Sequence, residues 1–340
     1  MKKRRLKKRV ISGFFVVLLI IIIMFFGENL IKDPVITDRL EEIITVLPKP
    51  KLKIIDLDSN SRSIGVMIDN VKGAWPQAGL EEAYLVYDIS VEHGLTRLFA
   101  IFKDSKADLI GPVRSSRHYY LDYAMENDTI YAHHGWSPQA QRDIPKYKIN
   151  NVVPAKRKST WGHVAPHNVF TSIEEINKLA SKYRKTTEKE PLLNYSIEEI
   201  NINNEENTNI ANTVNIRYSY NYSVKYEYDE ETKLYKRFIN DKKHTDLESK
   251  KQLTVKNIIV TNVKSYLDPT NSYKGRITLE NIGTGKGYYI TNGYYRPINW
   301  EKKSKDSQTI YKYEDGREIQ VNDGNTYIQI QPIKEITKFE

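Results

Sequence analysis

The chain has 340 residues, no cysteine and a formal net charge of +9. That length suits about two domains with real cores, and a hydrophobic share of 39% with 11% aromatics excludes a wholly disordered chain. The missing cysteine excludes disulfide scaffolds, thiolate metal sites, cysteine nucleophiles and an acylated-cysteine anchor.

Seven of the positive charges, Lys2, Lys3, Arg4, Arg5, Lys7, Lys8 and Arg9, sit in residues 1–9 and leave the remainder at only +2, so no nucleic-acid partner is expected. Val10 to Phe26 follows, with Ser12 and Gly13 its only non-apolar members. Residues 10–31 therefore read as a transmembrane signal-anchor whose partner is the lipid bilayer. The exit, Met24 to Asn29, offers no small-x-small cleavage site, so the helix is expected to stay. The basic cluster then remains cytoplasmic and the bulk of the chain extracellular, as a single-pass protein of the cell membrane.

Residues 32–60 read as a proline-containing stalk, with one short helix around Asp38 to Val46. Residues 61–186 have the texture of a mixed α/β domain. A buried strand is expected at Ile64 to Ile68, a hairpin from Tyr84 to Val91 and Leu95 to Lys103 around Glu92-His93-Gly94, and a short strand at Ile130 to His133. Helices are expected at Tyr119 to Met125 and at Ile173 to Tyr183, the latter opened by a Thr171–Glu174 capping box. Residues 187–213, rich in asparagine, read as a solvated linker.

From residue 214 to 334 the period becomes two. Val214, Ile216, Tyr218, Tyr220, Tyr222, Val224, Tyr226 and Tyr228 fall on even positions, which predicts one long strand with a bend or bulge. Asp315-Gly316 and Asp323-Gly324 read as hairpin turns. The fold class is thus α+β: a mixed α/β N-terminal domain with a β-rich C-terminal domain, preceded by one transmembrane helix.

Candidate chemistry gathers between His93 and His167, which hold six of the seven histidines. Gly111-Pro112-Val113-Arg114-Ser115-Ser116-Arg117 places arginine forks around small hydroxyl residues before a helix, a recipe for holding an anion. The alternative is that Arg114 and Arg117 pair internally with Asp69, Glu92 or Asp122. Adjacent His133 and His134 face opposite ways on a strand, so at most one serves a site. His163 and His167 with one of them and a carboxylate make a conceivable metal set, yet no spacing matches a compact ligand pair and no cofactor is assigned. Ser115, Ser116 and Ser137 lack a nucleophile-elbow context. Asp69-Asn70 lies at a strand's carboxyl end, where α/β sheets usually place ligands.

Val66 to Asn70, Pro76 to Leu80, Ala83 to Tyr87, Gly94 to Arg97, Ile110 to Arg117 and Ala165 to Asn168 together resemble the YerB-like family of bacterial extracytoplasmic proteins. The likeness continues more loosely through Trp300-Glu301-Lys302, Asp315-Gly316 and Asp323 to Thr326. The resemblance implies an envelope location, since members are typically lipoproteins of Gram-positive bacteria, but no activity, the family being one of unknown function. Asp69, Asn70, Glu92, Arg97, Arg114, Arg117, His167 and Asn168 match its pattern. Asp88 stands where a glutamate is usual, His93 where a glycine is usual and Trp75 where an arginine is common.

Three functions are consistent with these residues. The first is binding of an anionic or glycan cell-wall polymer through Asp69, Asn70, Arg97, Arg114, Ser115, Arg117 and Asn168. The second is a wall hydrolase or transferase with Glu92, His133 and His167 as catalytic groups. The third is an interaction scaffold for an envelope protein, using the tyrosine-rich half.

Overall fold

The computed structural model of the chain describes residues 52–159, 162–268 and 274–340. The basic segment, the expected membrane span over residues 10–31 and the stalk up to residue 51 lie outside these. Among the described residues no helix is long and apolar enough to cross a membrane.

Strands β1 (Ile64–Asp69), β2 (Leu85–Ser90) and β3 (Thr96–Phe102) are buried at every position. Both faces of this sheet are covered, which is why Val66-Met67-Ile68 shows no polar alternation. Val66 and Ile68 enter one core, Met67 the other. β2 and β3 form the expected hairpin, and β1 pairs antiparallel with β3 so that Asp69 lies opposite Arg97.

Next come α1 (His118–Glu126), β4 (Ile130–Ala132), α2 (Pro138–Lys146), β5 (Asn151–Val152) and α3 (Ile173–Leu179). Helix α2 was not expected, although Ser137 accepts from the Ala140 N–H at 3.3 Å and Pro138 opens the first turn, a legible Ser-Pro start. Helix α3 ends at Leu179 rather than Tyr183. Its cap is Ser172, which accepts from the Glu175 N–H at 3.1 Å, one residue beyond the expected box.

The asparagine-rich segment is stitched down rather than solvated throughout. It carries β6 (Asn194–Ser196) and β7 (Asn209–Ile210), and Leu192, Leu193, Tyr195 and Ile202 are buried.

The long strand expected from Val214 is instead an antiparallel hairpin of β8 (Thr213–Ser219) and β9 (Tyr222–Asp229). The reversal preserves parity: Val214, Ile216, Tyr218, Tyr222, Val224 and Tyr226 are buried, and Tyr220 at the tip is 97% exposed. The even-numbered tyrosines are therefore mostly core, not an outward contact face.

Strands β10 (Leu234–Ile239), β11 (Lys242–Lys243), β12 (Thr254–Val255), β13 (Asn257–Val263), β14 (Ser265–Leu267) and β15 (Ile277–Leu279) follow. Strands β16 (Gly283–Thr291), β17 (Tyr294–Lys302), β18 (Ile310–Tyr313), β19 (Gln320–Asn322), β20 (Thr326–Pro332) and β21 (Thr337–Phe339) complete the order. Asp315-Gly316 makes its hairpin turn, with Gly316 at φ +89° and the Arg317 N–H donating to Asp315 at 2.9 Å. Asp323-Gly324 does not: β19 pairs in parallel with β6, and β20 with β13 and β2, so the chain changes sheets there.

That change joins the two halves. Strand β20 lies between β13 and β2 in an eleven-stranded sheet ordered β18-β17-β16-β13-β20-β2-β3-β1-β4-β5, with β7 beside β17. A six-stranded sheet, β11-β10-β9-β8-β21 with β12 on β10, contributes Val214, Ile216, Val224 and Tyr235 to the core on one face. Helix α1 contributes Tyr119, Tyr120 and Tyr123 to the core on the other.

Candidate anion-binding site

Strand β1 ends on Asp69, a carboxylate only 1% exposed. The Gly111-Pro112 segment is laid along this end, the Asp69 N–H donating to Pro112 O and the Arg114 N–H to Met67 O, both at 2.8 Å. Arg114 is thereby delivered to Asp69, its Nε 3.0 Å from Oδ2 as an ion pair that is not aligned as a hydrogen bond. From the other side His167 Nδ1 reaches the same Oδ2 at 2.6 Å. An ionised carboxylate only accepts, so Nδ1 carries a proton, and in the neutral form of the ring the lone pair is at Nε2. The Arg114 and His167 side chains keep 23% and 22% exposure, making them the solvent-facing members of the trio.

Asn168 acts one step behind. It accepts from Arg157 at 2.8 Å and donates to Ser159 at 3.0 Å, fastening the loop that carries His167. Gly73 comes close on the other side: a Cβ there would sit 3.2 Å from His167 Cδ2 and 3.6 Å from Nε2.

Glu92 organises a second cluster at the same end of the sheet. Arg117 Nε donates to it at 2.5 Å, and Arg97 and Arg276 stand at 3.8 and 3.9 Å. Burial pushes the Glu92 carboxyl up, but the Arg117 hydrogen bond and charge, with Arg97, more than offset this and hold it below its ordinary range. A carboxylate kept ionised in this way is a charge anchor and a poor proton donor. Arg97 also donates to Ser115 O at 2.7 Å and Arg117 to Ser116 O at 2.9 Å, so both arginines brace the turn. Internal pairing is thus realised for Arg114 with Asp69 and Arg117 with Glu92, while Asp122 pairs with Lys305. Arg97, Arg114 and Arg117 thus set three guanidinium groups against the Asp69 and Glu92 carboxylates.

Behind the trio runs a chain of hydrogen bonds whose direction is fixed by donor chemistry. Fully buried Arg237 donates to Asp88 at 2.6 Å and to His244 Nδ1. Guanidinium has no acceptor, so His244 must carry its proton on Nε2, which donates to Gln77 Oε1 at 2.7 Å. Burial, then the Arg237 charge, push His244 well below its ordinary range and keep it neutral. Gln77 is left with its amide nitrogen toward Asp69 O and Asn70 Oδ1, each at 2.9 Å. Asn70 Oδ1 also accepts from the Trp75 indole at 3.1 Å, and its nitrogen donates to Thr96 and Tyr222. The loop holding Asp69 and Gly73 is therefore set by Arg237 and His244 of the β-rich half. Arg237 was legible as a charge on the inward face of β10, alternating with Tyr235 and Ile239. His244 is the one histidine outside the dense window, Gln77 stands out in the sequence only within the Pro76 to Leu80 segment, and Gly73 carries no signal there.

The remaining candidates go elsewhere. Buried His133 receives Asn151 on Nε2 at 3.0 Å and gives Nδ1 to Gly135 O at 2.9 Å, so neither nitrogen is open for catalysis. His134 engages Pro154 O and His163 engages Ala74 O. Among the described residues no group of three or more His, Asp or Glu side chains could hold a metal ion. Ser116 accepts from Tyr131, and Ser137 is the α2 cap. A cleft of about 330 Å³ lined by Ser61, Ser63, Tyr84 and Lys103 lies at the opposite end of β1 and contains none of the trio.

The family described as protein of unknown function DUF3048 matches this sequence in two parts, its N-terminal domain over residues 53–187 and its C-terminal domain over residues 214–328. Over 292 residues the chain is 27% identical to YerB of Bacillus subtilis (strain 168), covering 84% of this chain and 86% of that protein, whose name presents it as a candidate lipoprotein. The crystal structure of YerB from Bacillus subtilis is similar with a TM-score of 0.71 at 26% identity, covering 85% of this chain and 100% of that one.

Proposed function

The chain belongs to the DUF3048 family of unknown function, and from that premise we propose that it is a membrane-held, extracytoplasmic envelope protein that binds anionic groups of a wall polymer through Arg114 and His167. The observation that carries the reading is the convergence of Arg114 Nε and His167 Nδ1 on one buried oxygen of Asp69. Asp69 holds both donor-bearing side chains in place while each stays partly exposed. Arg97, Arg117 and Arg276 around Glu92 add the positive field that draws an anion to this end of the sheet. The location is supported by the candidate lipoprotein among its relatives and by the apolar run from Val10 to Phe26, which would replace an acylated cysteine as the anchor.

The test is titration of the detergent-solubilised full chain with synthetic poly(glycerol phosphate) and, in parallel, with uncharged dextran. Saturable binding of the phosphate polymer that weakens with added salt is expected, with no binding of dextran. Equal affinity for the two polymers would contradict the proposal.

A further inference from the structure

Resting on that reading, we infer that the trio is also a catalytic site, in which His167 is the general base for hydrolysing a phosphodiester that Arg114 holds. Three features of the geometry carry this beyond binding. The Asp69 carboxylate fixes His167 in one tautomer and one orientation, with Nδ1 bonded inward at 2.6 Å, and would stabilise the imidazolium that a general base becomes. Among the described residues Nε2 makes no hydrogen bond, in contrast to His133 and His244, whose two ring nitrogens are both engaged. Gly73 leaves the approach to Nε2 open where any side chain would crowd the ring.

The substrate class follows from charge. A carboxylic ester is neutral and gains little from an end of the sheet where Arg97, Arg114 and Arg117 face two carboxylates, whereas a phosphodiester brings one negative charge and two non-bridging oxygens that match a guanidinium fork. In the step, His167 Nε2 takes a proton from water as the water oxygen bonds to phosphorus. The bond from phosphorus to the ester oxygen breaks on the side opposite the attack, the leaving alkoxide takes a proton from solvent water, and the His167 imidazolium returns its proton to the hydroxide so formed, giving one monoester and one alcohol. Asp69 stabilises the transient imidazolium, and Arg114 neutralises charge on the non-bridging oxygens. Glu92, paired with Arg117 and Arg97, takes no part in proton transfer.

The experiment incubates the full chain with poly(glycerol phosphate), reading diester and monoester by phosphorus NMR and polymer binding by calorimetry on the same samples. Monoester should appear with the wild type, fall by about 100-fold or more in His167→Ala, and recover in part when free imidazole is supplied to that variant. Gly73→Val, which substitutes none of the three residues but crowds the His167 ring, should also slow release. Binding by the wild type without monoester formation would overturn this inference and leave the binding proposal standing. Neither binding nor cleavage would overturn both. Cleavage by His167→Ala at the wild-type rate would overturn the assignment of the base.

Discussion

His244 and Gln77, 167 residues apart in the chain, meet at 2.7 Å with the imidazole donating to the amide oxygen. Through this contact the β-rich half dictates how the loop beneath Asp69 is held. His244→Leu removes both the acceptor for Arg237 and the donor to Gln77, and the expected result is about a 10-fold loss in affinity for a phosphate polymer, as for other residues that orient binding groups. His244→Gln, which offers an oxygen and an N–H at a similar spacing, should recover most of it. Trp75 emission reports the same change, because its indole N–H is bonded to Asn70.

Asp88 and Arg237 form an ion pair in which neither side chain reaches solvent. Removing one partner strands the other charge, so Arg237→Met should cost about 3–5 kcal/mol in urea unfolding. Asp88→Leu combined with Arg237→Met should lose much less, because no bare charge remains.

His133 is pushed down to about 4 by burial, the Gly135 carbonyl only partly opposing this. The unfolded chain binds the proton that folded His133 refuses, so stability falls as pH drops from the ordinary histidine value near 6.5 toward about 4. A shift of this size corresponds to about 3 kcal/mol over that window. His118, also brought to about 4 chiefly by burial, acts in the same direction. His244, held neutral by burial and the Arg237 charge, adds in the same direction, so urea midpoints measured across the window should rise with pH, and His133→Asn should reduce that slope without abolishing it, whatever its absolute stability.

Gly73 is exposed, and its φ is not in the left-handed range, so Gly73→Val should change unfolding stability by only about 0.5 kcal/mol. Its new Cβ would press on the His167 ring, where glycine leaves 3.2 Å to Cδ2. Polymer affinity is therefore expected to drop in calorimetry while the urea midpoint stays nearly constant.

Local chemistry in this chain was readable from its sequence, and long-range pairing was not. The apolar run at Val66 to Ile68, the Glu92-His93-Gly94 hairpin and the buried even-numbered positions from Val214 follow from period and turn residues, which act over a few neighbours. The same parity hid the reversal at Tyr220, because a hairpin whose turn preserves alternation looks like one long strand. Asp69, Arg114 and His167 could each be named as candidates, but their meeting spans 98 residues for the Asp69–His167 bond and depends on how loops return to one sheet end. Pairing of β20 with β2, which merges both halves into one sheet, left no local mark at all.

Affinity for poly(glycerol phosphate) compared between Arg114→Gln and Arg117→Gln tests the central claim most directly. Arg114 faces solvent from Asp69, whereas Arg117 is spent on Glu92 and Ser116. The account predicts that Arg114→Gln weakens binding by about 10-fold or more, the worth of one hydrogen bond to a charged group, while Arg117→Gln chiefly lowers the urea midpoint. Wild-type affinity in Arg114→Gln, with folding intact, would contradict it.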